Sequence, residues 1–323
     1  MRAPAGAGDV AGDRAWTAVI LMAYGSPERP QDIAPYLQHI RGGEPPGPEL
    51  VADLQRRYDA IGGRSPLQEV TRAQAAELGA ALALRGVAAR VWPAMKHSAP
   101  SIAEAVRDAH GHGARKFLGL ALAPHFAGMS IGGYERALRE AASPLVGDGA
   151  VEMVDSWHLE PALIEAWAGP LRAIRRARPE FAGPGGHVLF TAHSLPERIV
   201  GEGDPYPKQL LETCRAVAGA ARLERWSFAW QSAGSRGRWL GPPLRERLEE
   251  VAAGGADAVL SAPIGFVSDH LEVLYDLDIE ARQAAERLGM RWARAPMPNG
   301  SPALVTALAH VAEARLPPAG GPP

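Results

Sequence analysis

Three carboxylates in the last third of the chain follow one another at helical spacing. Glu272, Asp276 and Glu280 are each four residues apart. An α-helix turns by about 100° per residue, so these side chains would share one face over roughly 12 Å. Like charges at this spacing destabilise a helix by about 0.2–0.5 kcal/mol per pair, whereas carboxylate oxygens are good ligands for divalent cations. The segment is therefore either a solvated acidic face or a path for a metal ion.

A histidine in the second half of the chain is a candidate to bind such a metal or to transfer a proton. His193 follows the apolar residues 188–192, which predict a buried strand. A lone histidine at a strand end is often only a hydrogen-bonded core residue. Next to a carboxylate, however, it becomes an acid/base group or a metal ligand with a fixed tautomer. The helix that carries Glu272 also begins just after a strand, so we expect Glu272 to lie near His193.

Two pairs of similar segments occur in the same order along the chain. Residues 23–29 and 192–198 both begin with Ala and end with Pro-Glu-Arg, and residues 122–126 and 261–266 both contain Ala-Pro followed by an aromatic residue. Chance similarity of proline-containing turns is one interpretation, and internal duplication, which we favour, is the other. Duplication makes Tyr24 the counterpart of His193 on a facing domain. A phenol and an imidazole across a cleft suit a metal or a proton.

Strand-like runs alternate with helical patterns along the chain. This alternation predicts parallel sheets with helices on both faces, and right-handed crossovers favour two sheets over one meander. We therefore predict an α/β fold of two similar doubly wound, Rossmann-like domains with a cleft between them. Ligands bind such sheets at the carboxyl ends of the strands. The strands are expected near residues 17–22, 89–94, 116–122, 151–155, 187–192, 226–230, 257–262 and 290–294, and the helices near 31–41, 49–60, 67–84, 100–110, 133–142, 160–178, 207–221, 242–254, 270–288 and 301–314.

The predicted domain organisation has four parts. A flexible N-terminus over residues 1–15 precedes a first Rossmann-like domain over 16–158. A second Rossmann-like domain covers 159–315, and a flexible Pro/Gly-rich tail covers 316–323. The sequence leaves open whether the last helix packs back on the first domain.

Composition excludes several classes of protein. Hydrophobic residues make up 46% and charged residues 22%, and the net charge is −2, so no overall field attracts nucleic acid or an anionic membrane. No apolar run reaches the ~18 residues of a membrane span, and residues 1–15 lack a secretory signal pattern. Cys214 is the only cysteine, which excludes an intrachain disulfide and any cluster that needs several thiolates. We expect a cytoplasmic protein.

A competing motif points to a different chemistry. Residues 128–132 match the G-x-S-x-G pattern of serine hydrolases around Ser130. That pattern requires the serine at a sharp strand-to-helix turn, and Pro124 ends the preceding strand several residues earlier. We therefore disfavour a hydrolase. His97 and His125 follow predicted strands and are further candidates to line the cleft.

Taken together, the motifs resemble those of the ferrochelatases, over about residues 17–310. The chain is most similar to the soluble Gram-positive branch, the coproporphyrin ferrochelatases. The motifs that carry the resemblance are residues 22–27, 39–43, 57–63, 122–126, 193–196, 203–207, 230–232 and 265–272.

This resemblance implies a lyase of haem biosynthesis that inserts Fe(II) into coproporphyrin III to form coprohaem. His193 matches the catalytic histidine and Glu272 its partner across the cleft. Tyr24 matches the tyrosine that ligates the product iron, so Tyr24, His193 and Glu272 are the expected metal-contacting residues. Asp276 and Glu280 match a proposed metal path.

The resemblance also implies how the porphyrin is held and what accompanies it. Arg41, Arg57, Ser65 and Tyr134 match positions that bind porphyrin propionates. Iron is a substrate, no permanently bound cofactor is implied, and the single cysteine argues against the iron–sulfur cluster of some relatives. A transient contact with a coprohaem decarboxylase is implied, and we favour a monomer.

The sequence leaves two alternatives to this function open. One is a chelatase for protoporphyrin IX or for another tetrapyrrole, including cobalt or sirohydrochlorin chemistry. The other is a haem or porphyrin carrier without catalysis, in which Tyr24 is simply an axial ligand. For the enzyme, we expect a neutral His193, assisted by Glu272, to accept pyrrole protons near pH 7. The side from which iron enters is left open.

Overall fold

A first parallel sheet is built around one fully buried strand. The computed structural model describes residues 16–234 and 237–316. The sheet has the order β2-β1-β3-β4. All seven residues of β1 are buried because the sheet is covered on both faces, which explains the unbroken apolar run in the sequence. The strands are β1 Thr17–Ala23, β2 Ala89–Met95, β3 Lys116–Ala121 and β4 Val151–Met153.

A second parallel sheet repeats this arrangement. Its order is β6-β5-β7-β8, so each strand has a counterpart at the same place in the first sheet. The predicted α/β fold of two similar doubly wound domains is confirmed, and we refer to the two sheets with their helices as the first and second lobes. The strands are β5 Gly186–His193, β6 Trp226–Gln231, β7 Ala258–Ala262 and β8 Arg291–Arg294.

Helices connect the strands and cover both sheets. In the first half these are α1 Ile33–Ile40, α2 Pro48–Ala60, α3 Leu67–Leu84, α4 Ile102–Gly111, α5 Ile131–Val146 and α6 Pro161–Ala177. In the second half they are α7 Arg198–Gly201, α8 Tyr206–Ala221, α9 Leu244–Ala253, α10 Arg282–Arg287 and α11 Pro302–Glu313. Short 3₁₀ turns lie at Pro30–Asp32, Asp148–Ala150 and Pro179–Phe181.

The acidic segment departs from the predicted regular α-helix. Residues Val273–Ala281 form a π-helix that leads into α10, so the single α-helix predicted over 270–288 is wrong in its central part. A π-helix bonds each N–H to the carbonyl five residues back and is rare, and it occurs frequently at functional sites. Apolar periodicity does not distinguish it from an α-helix over so short a segment.

The two lobes share one hydrophobic core. Val19 and Leu21 of β1 belong to the same buried cluster as Leu189 and Phe190 of β5. The alternate β1 residues face a separate cluster with α4 and α5. Both lobes are thus held together by continuous apolar packing.

The last helix packs against two helices from the first half of the chain. α11 packs against α3 and α6, and Arg85 of α3 pairs with Glu313 at 2.9 Å. Leu316 is buried. The flexible N-terminus predicted over 1–15 lies outside the described residues, and so does the flexible tail predicted over 316–323 except for its first residue, the buried Leu316. Within residues 16–234 and 237–316, no helix is both long enough and apolar enough to cross a membrane.

Candidate active site

The candidate site lies where each sheet changes its winding direction. In both lobes the chain passes from the central strand to a neighbour on one side and then to the strand on the other side, and a crevice opens at the carboxyl end of such a central strand. Tyr24 directly follows β1, and His193 is the last residue of β5. The two residues therefore occupy equivalent places in the two lobes.

The turn after β1 presents Tyr24 to the solvent. Gly25 has φ +93°, and a Cβ there would lie 2.5 Å from Oγ of Ser98, so only glycine fits. Tyr24 is 44% exposed. Although the residue as a whole is partly exposed, desolvation of the phenol and the negative charge of Glu272 raise the pKa of Tyr24 to about 12. The phenol is therefore protonated at neutral pH.

His193 and Glu272 form a close pair. Nε2 of His193 lies 3.5 Å from Oε1 of Glu272, and Nδ1 of His193 donates to the carbonyl of Ser194. That second hydrogen bond orients the ring with Nε2 towards the carboxylate. His270 lies on the other side of Glu272, with its Nε2 3.7 Å from Oε2.

The electrostatics of this pair favour its charged form. Burial lowers the pKa of His193, but the charge of Glu272 and a hydrogen bond to it outweigh burial and raise that pKa to about 9. Burial raises the pKa of Glu272, but His193 and His270 lower it well below its ordinary value. The pair therefore favours a protonated His193 at pH 7. This differs from the neutral imidazole expected from the sequence, because Glu272 lies only 3.5 Å from the ring.

The three carboxylates lead from the cleft to the surface. Asp276 is only 7% exposed and accepts a hydrogen bond from the Ser232 hydroxyl. Burial and the charge of Glu272 raise the pKa of Asp276 to about 7, against the opposing effects of Ser232 and Arg57. Glu280 is exposed, and its negative charge also raises the pKa of Asp276. The three groups are thus electrostatically coupled along one side of the π-helix.

A preassembled metal centre is not found in the described part of the chain. No group of three or more His, Cys, Asp or Glu side chains there is placed to hold a metal ion. Glu272 lies 3.5 Å from His193 and 3.7 Å from His270. The metal-contacting role of Tyr24, His193 and Glu272 stays a prediction.

The predicted propionate-binding residues are distributed around the site. Arg57 lies between Asp53, at 3.1 Å, and Asp276, at 3.9 Å, so its charge is shared. Arg41 is exposed at the end of α1. The buried Ser65 accepts a hydrogen bond from the Leu67 N–H, and a hydroxyl that accepts one hydrogen bond can still donate another.

Tyr134, the fourth predicted propionate ligand, lies in the first turns of α5 and is 4% exposed. Burial raises its pKa far above the ordinary value, and Tyr24 adds to this shift. Tyr134 and Tyr24 therefore belong to the same wall of the cleft.

Three cleft residues were missed or left undecided by sequence reasoning. His97 packs against Tyr24 with ring centroids 4.5 Å apart, and its Nδ1 lies 2.8 Å from Nδ1 of His39. Burial and the neighbouring Lys96 lower the pKa of His97 to about 4, so it is neutral at pH 7. The sequence signals for this group were that Lys96 and His97 follow a strand and that His39 begins one of the motifs that carry the resemblance.

Two other candidates lie away from the reactive pair. His125 is 1% exposed, its Nε2 is 2.9 Å from Oγ1 of Thr213, and burial lowers its pKa to about 3. It is a core residue and not a cleft residue. Ser130 immediately precedes α5, whereas β3 ends at Ala121, so the sharp turn of a hydrolase nucleophile is absent here.

Comparison with known sequences identifies close relatives. The family model described as Ferrochelatase matches residues 16–316. A coproporphyrin III ferrochelatase from Geobacillus kaustophilus is 41% identical over 297 residues, which cover 91% of this chain and 94% of that protein. A ferrochelatase from Herpetosiphon aurantiacus is 40% identical over 91% of this chain and 97% of its own length.

Solved structures with a similar fold include other chelatases. SirB from Bacillus subtilis with Fe3+ has a TM-score of 0.54 at 11% identity, over 92% of this chain and 94% of that chain. CbiX, described as the terminal enzyme for biosynthesis of siroheme in denitrifying bacteria, has a TM-score of 0.51 at 14% identity, over 94% and 100%. At these identities the likeness concerns the fold alone.

Proposed function

This chain belongs to the ferrochelatase family, and on that premise we propose that it inserts Fe(II) into coproporphyrin III and releases coprohaem. Several relatives at about 40% identity carry the name coproporphyrin III ferrochelatase. The observation that carries the proposal is the His193–Glu272 pair at the carboxyl edge of the central strand of the second lobe. The proposal is supported by an imidazole and a carboxylate that lie together at the edge where this fold binds ligands, since such a pair can accept pyrrole protons.

Metal insertion into a porphyrin requires two changes in the ring. Two pyrrole N–H protons must leave, and the nitrogen lone pairs, which lie in the plane of a flat ring, must become accessible to the metal. A rigid cleft that holds the propionates can bend the ring by using binding energy remote from the reacting nitrogens. The shared hydrophobic core of the two lobes provides such rigidity.

The charged state of the pair sets the order of proton transfers. His193 must lose its proton before Nε2 can accept one from a pyrrole. A dication that approaches the pair lowers the pKa of an imidazole, since like charges disfavour its protonated form. Asp276, with a pKa of about 7, is able to take up that proton at neutral pH and pass it towards the exposed Glu280.

The substrate assignment depends on the number of carboxylates. Coproporphyrin III has four propionates and protoporphyrin IX has two, and we assign Arg41, Arg57, Ser65 and Tyr134 to propionate binding. The competing assignment is a protoporphyrin IX ferrochelatase. A comparison of turnover with the two porphyrins separates them: faster turnover of coproporphyrin III supports our assignment, and faster turnover of protoporphyrin IX overturns it.

The exposed Tyr24 supports a second candidate function, that of a haem carrier in which this phenol is an axial ligand. An anaerobic stopped-flow absorbance experiment with Fe(II) and free coproporphyrin III distinguishes the two. An enzyme accelerates metal insertion over the protein-free rate. A carrier leaves that rate unchanged and only binds the product.

We propose a cytoplasmic monomer that holds no permanent cofactor and no iron–sulfur cluster. Its product would pass to a coprohaem decarboxylase through a transient contact. We propose that the protein binds neither nucleic acid nor a membrane.

A further inference from the structure

We propose that Lys96 and Arg136 form an additional carboxylate subsite on the Tyr24 wall of the cleft and that this subsite selects porphyrins with more than two propionates. The inference rests on the proposed function, because it assumes a porphyrin in the cleft. It adds two residues that the sequence analysis did not single out.

The two cations converge on the first turn of α5. Nζ of Lys96 lies 5.0 Å from the ring centroid of Tyr134. A Cβ placed on Gly133 would come within 2.3 Å of Nζ of Lys96 and 3.8 Å of Nη2 of Arg136. Both positive groups therefore lie against the same glycine, and the missing side chain at position 133 makes room for the ammonium.

No carboxylate neutralises this pair in the described residues. Lys96 and Arg136 form no ion pair there, whereas Arg139 on the same helix pairs with Glu135 at 2.8 Å. Burial and the charge of Arg136 lower the pKa of Lys96, and the positive end of the α5 dipole adds to the repulsion. Two unneutralised cations held near a helix N-terminus form a favourable place for an anion.

The subsite is continuous with the site already described. The backbone N–H of Lys96 donates to the carbonyl of Ala23 at 2.9 Å, and the backbone N–H of His97 donates to the carbonyl of Tyr24 at 3.0 Å. Lys96 is thus fixed next to the end of β1, where the porphyrin is expected. Arg57 lies instead beside Asp276, on the carboxylate side.

These positions suggest that the two groups hold carboxylates at different edges of one ring. A porphyrin with four propionates would fill both places. A porphyrin with two neighbouring propionates would fill one and leave the other to water. The Lys96–Arg136 subsite would then contribute to selection for the tetrapropionate substrate.

The test measures binding of metal-free porphyrins to the full chain by fluorescence at one fixed salt concentration. The variants are Lys96→Gln, Arg136→Gln, their combination and Gly133→Ala, which would displace the ammonium. Arg107→Gln is the matched control, since it removes one exposed charge on α4. Arg136 is exposed, so its variant is expected to fold, and thermal melting checks every protein.

We expect each single charge-removing variant to weaken coproporphyrin III binding about tenfold, the ratio produced by about 1.4 kcal/mol of a lost charge-assisted hydrogen bond. The double variant should lose less than the sum of the single effects, because both cations would share one carboxylate. Gly133→Ala should resemble Lys96→Gln. Protoporphyrin IX binding should change less than twofold, and Arg107→Gln should change neither affinity.

Unchanged coproporphyrin III affinity in folded Lys96→Gln and Arg136→Gln would overturn the subsite. So would equal losses for both porphyrins. Because no metal is present in the assay, it is independent of catalysis. A wild-type protein that binds coproporphyrin III with the predicted selectivity but inserts no Fe(II) would overturn the proposed function and leave the subsite standing.

Discussion

Gly265 and Ala192 are in such close contact that a Cβ on Gly265 would lie 2.5 Å from Cβ and 2.9 Å from Cα of Ala192. Ala192 immediately precedes His193, and Gly265 lies in the loop between β7 and Glu272. The Gly265 N–H also donates to the carbonyl of Thr191 at 3.2 Å. This approach of backbone to backbone brings the loop against the end of β5. It is the reason that the carboxylate of Glu272 reaches the imidazole of His193.

The first prediction concerns this contact. Gly265→Ala should destabilise the protein by about 1–3 kcal/mol, as overpacking of a dense site does. It should also lower the rate of Fe(II) insertion by separating His193 from Glu272. Urea unfolding and initial rates at saturating porphyrin measure the two effects.

Gly219→Ala is the matched control for that variant. Gly219 lies in α8, and nothing lies within 4 Å of a Cβ placed there. Alanine in a helix is more stable than glycine, so this variant should be at least as stable as wild type and fully active. A Gly265→Ala protein with wild-type stability and rate would show that the close approach is not required.

The second prediction concerns the charge of His193. Glu272→Gln removes the main effect that raises the pKa of His193, and burial then lowers that pKa below 6.5 from about 9. In wild type the folded-state pKa lies above the ordinary value. Pairing of protonated His193 with Glu272 therefore stabilises the fold fully below about pH 6.5. This contribution disappears as the pH rises through about 9.

An NMR titration of the His193 ring protons measures this pKa directly in both proteins. His187 serves as an internal reference, since burial and Arg225 lower its pKa to about 4 independently of Glu272. A His193 pKa above 8 in the Glu272→Gln protein would contradict the electrostatic account of the pair.

The third prediction concerns Asp276 and the pH dependence of stability. Its folded-state pKa is raised from 3.8 to about 7, so the unfolded state ionises first as the pH rises. Wild-type stability therefore falls through this group between about pH 4 and pH 7 and is then constant. Asp276→Asn removes that loss. The free energy of unfolding of the variant, relative to that of wild type, should therefore rise by on the order of 2 kcal/mol between pH 5 and pH 8.

Urea unfolding at the two pH values measures the difference between the proteins. Asp59→Asn is a suitable control, because Asp59 lies on the exposed side of α2. If the advantage of Asp276→Asn is the same at pH 5 and pH 8, Asp276 does not have the raised pKa on which the proposed proton path depends.

The fourth prediction concerns the polar contact between the lobes. Gln74 of α3 is fully buried, and its Nε2 donates to Oγ of Ser268 at 3.0 Å and to the carbonyl of Asn299 at 2.8 Å. Gln74→Ala removes the donor from the buried Ser268 hydroxyl and from the partly buried Asn299 carbonyl, which should destabilise the fold by about 1–3 kcal/mol.

Because Ser268 lies just before His270 and Glu272, Gln74→Ala should also lower kcat more than it changes KM for the porphyrin. Gln55→Ala is the control, since Gln55 bonds to Asp59 at the surface of α2. A Gln74→Ala protein with unchanged stability would show that water replaces the amide without loss.

The sequence predicted the sheets well, because their signal is local. Apolar runs such as residues 17–23 and the helical patterns between them depend only on neighbouring residues. The repeated segments at Tyr24 and His193 also located the two central strands. The π-helix over Val273–Ala281 was not predictable in this way, since its additional residue per turn leaves no distinct apolar pattern.

The site was harder to predict, because its properties depend on contacts between distant segments. The proximity of His193 to Glu272 followed from topology, but the resulting charge on His193 depends on a separation of 3.5 Å. The His39–His97 contact and the Lys96–Arg136 pair join different elements and leave no local pattern. His125 was predicted to line the cleft because it follows β3, but the loop turns its ring into the core.

The rate of Fe(II) insertion by His193→Ala, measured beside wild type, tests the central claim most directly. Anaerobic absorbance at saturating coproporphyrin III gives the rate, and fluorescence titration without metal gives the porphyrin affinity. We predict that wild type accelerates insertion, that the variant falls to the protein-free rate, and that its porphyrin affinity changes by less than about threefold, since the lost group acts on protons and not on propionates. A folded His193→Ala protein with the wild-type rate would contradict the claim that this pair carries the reaction.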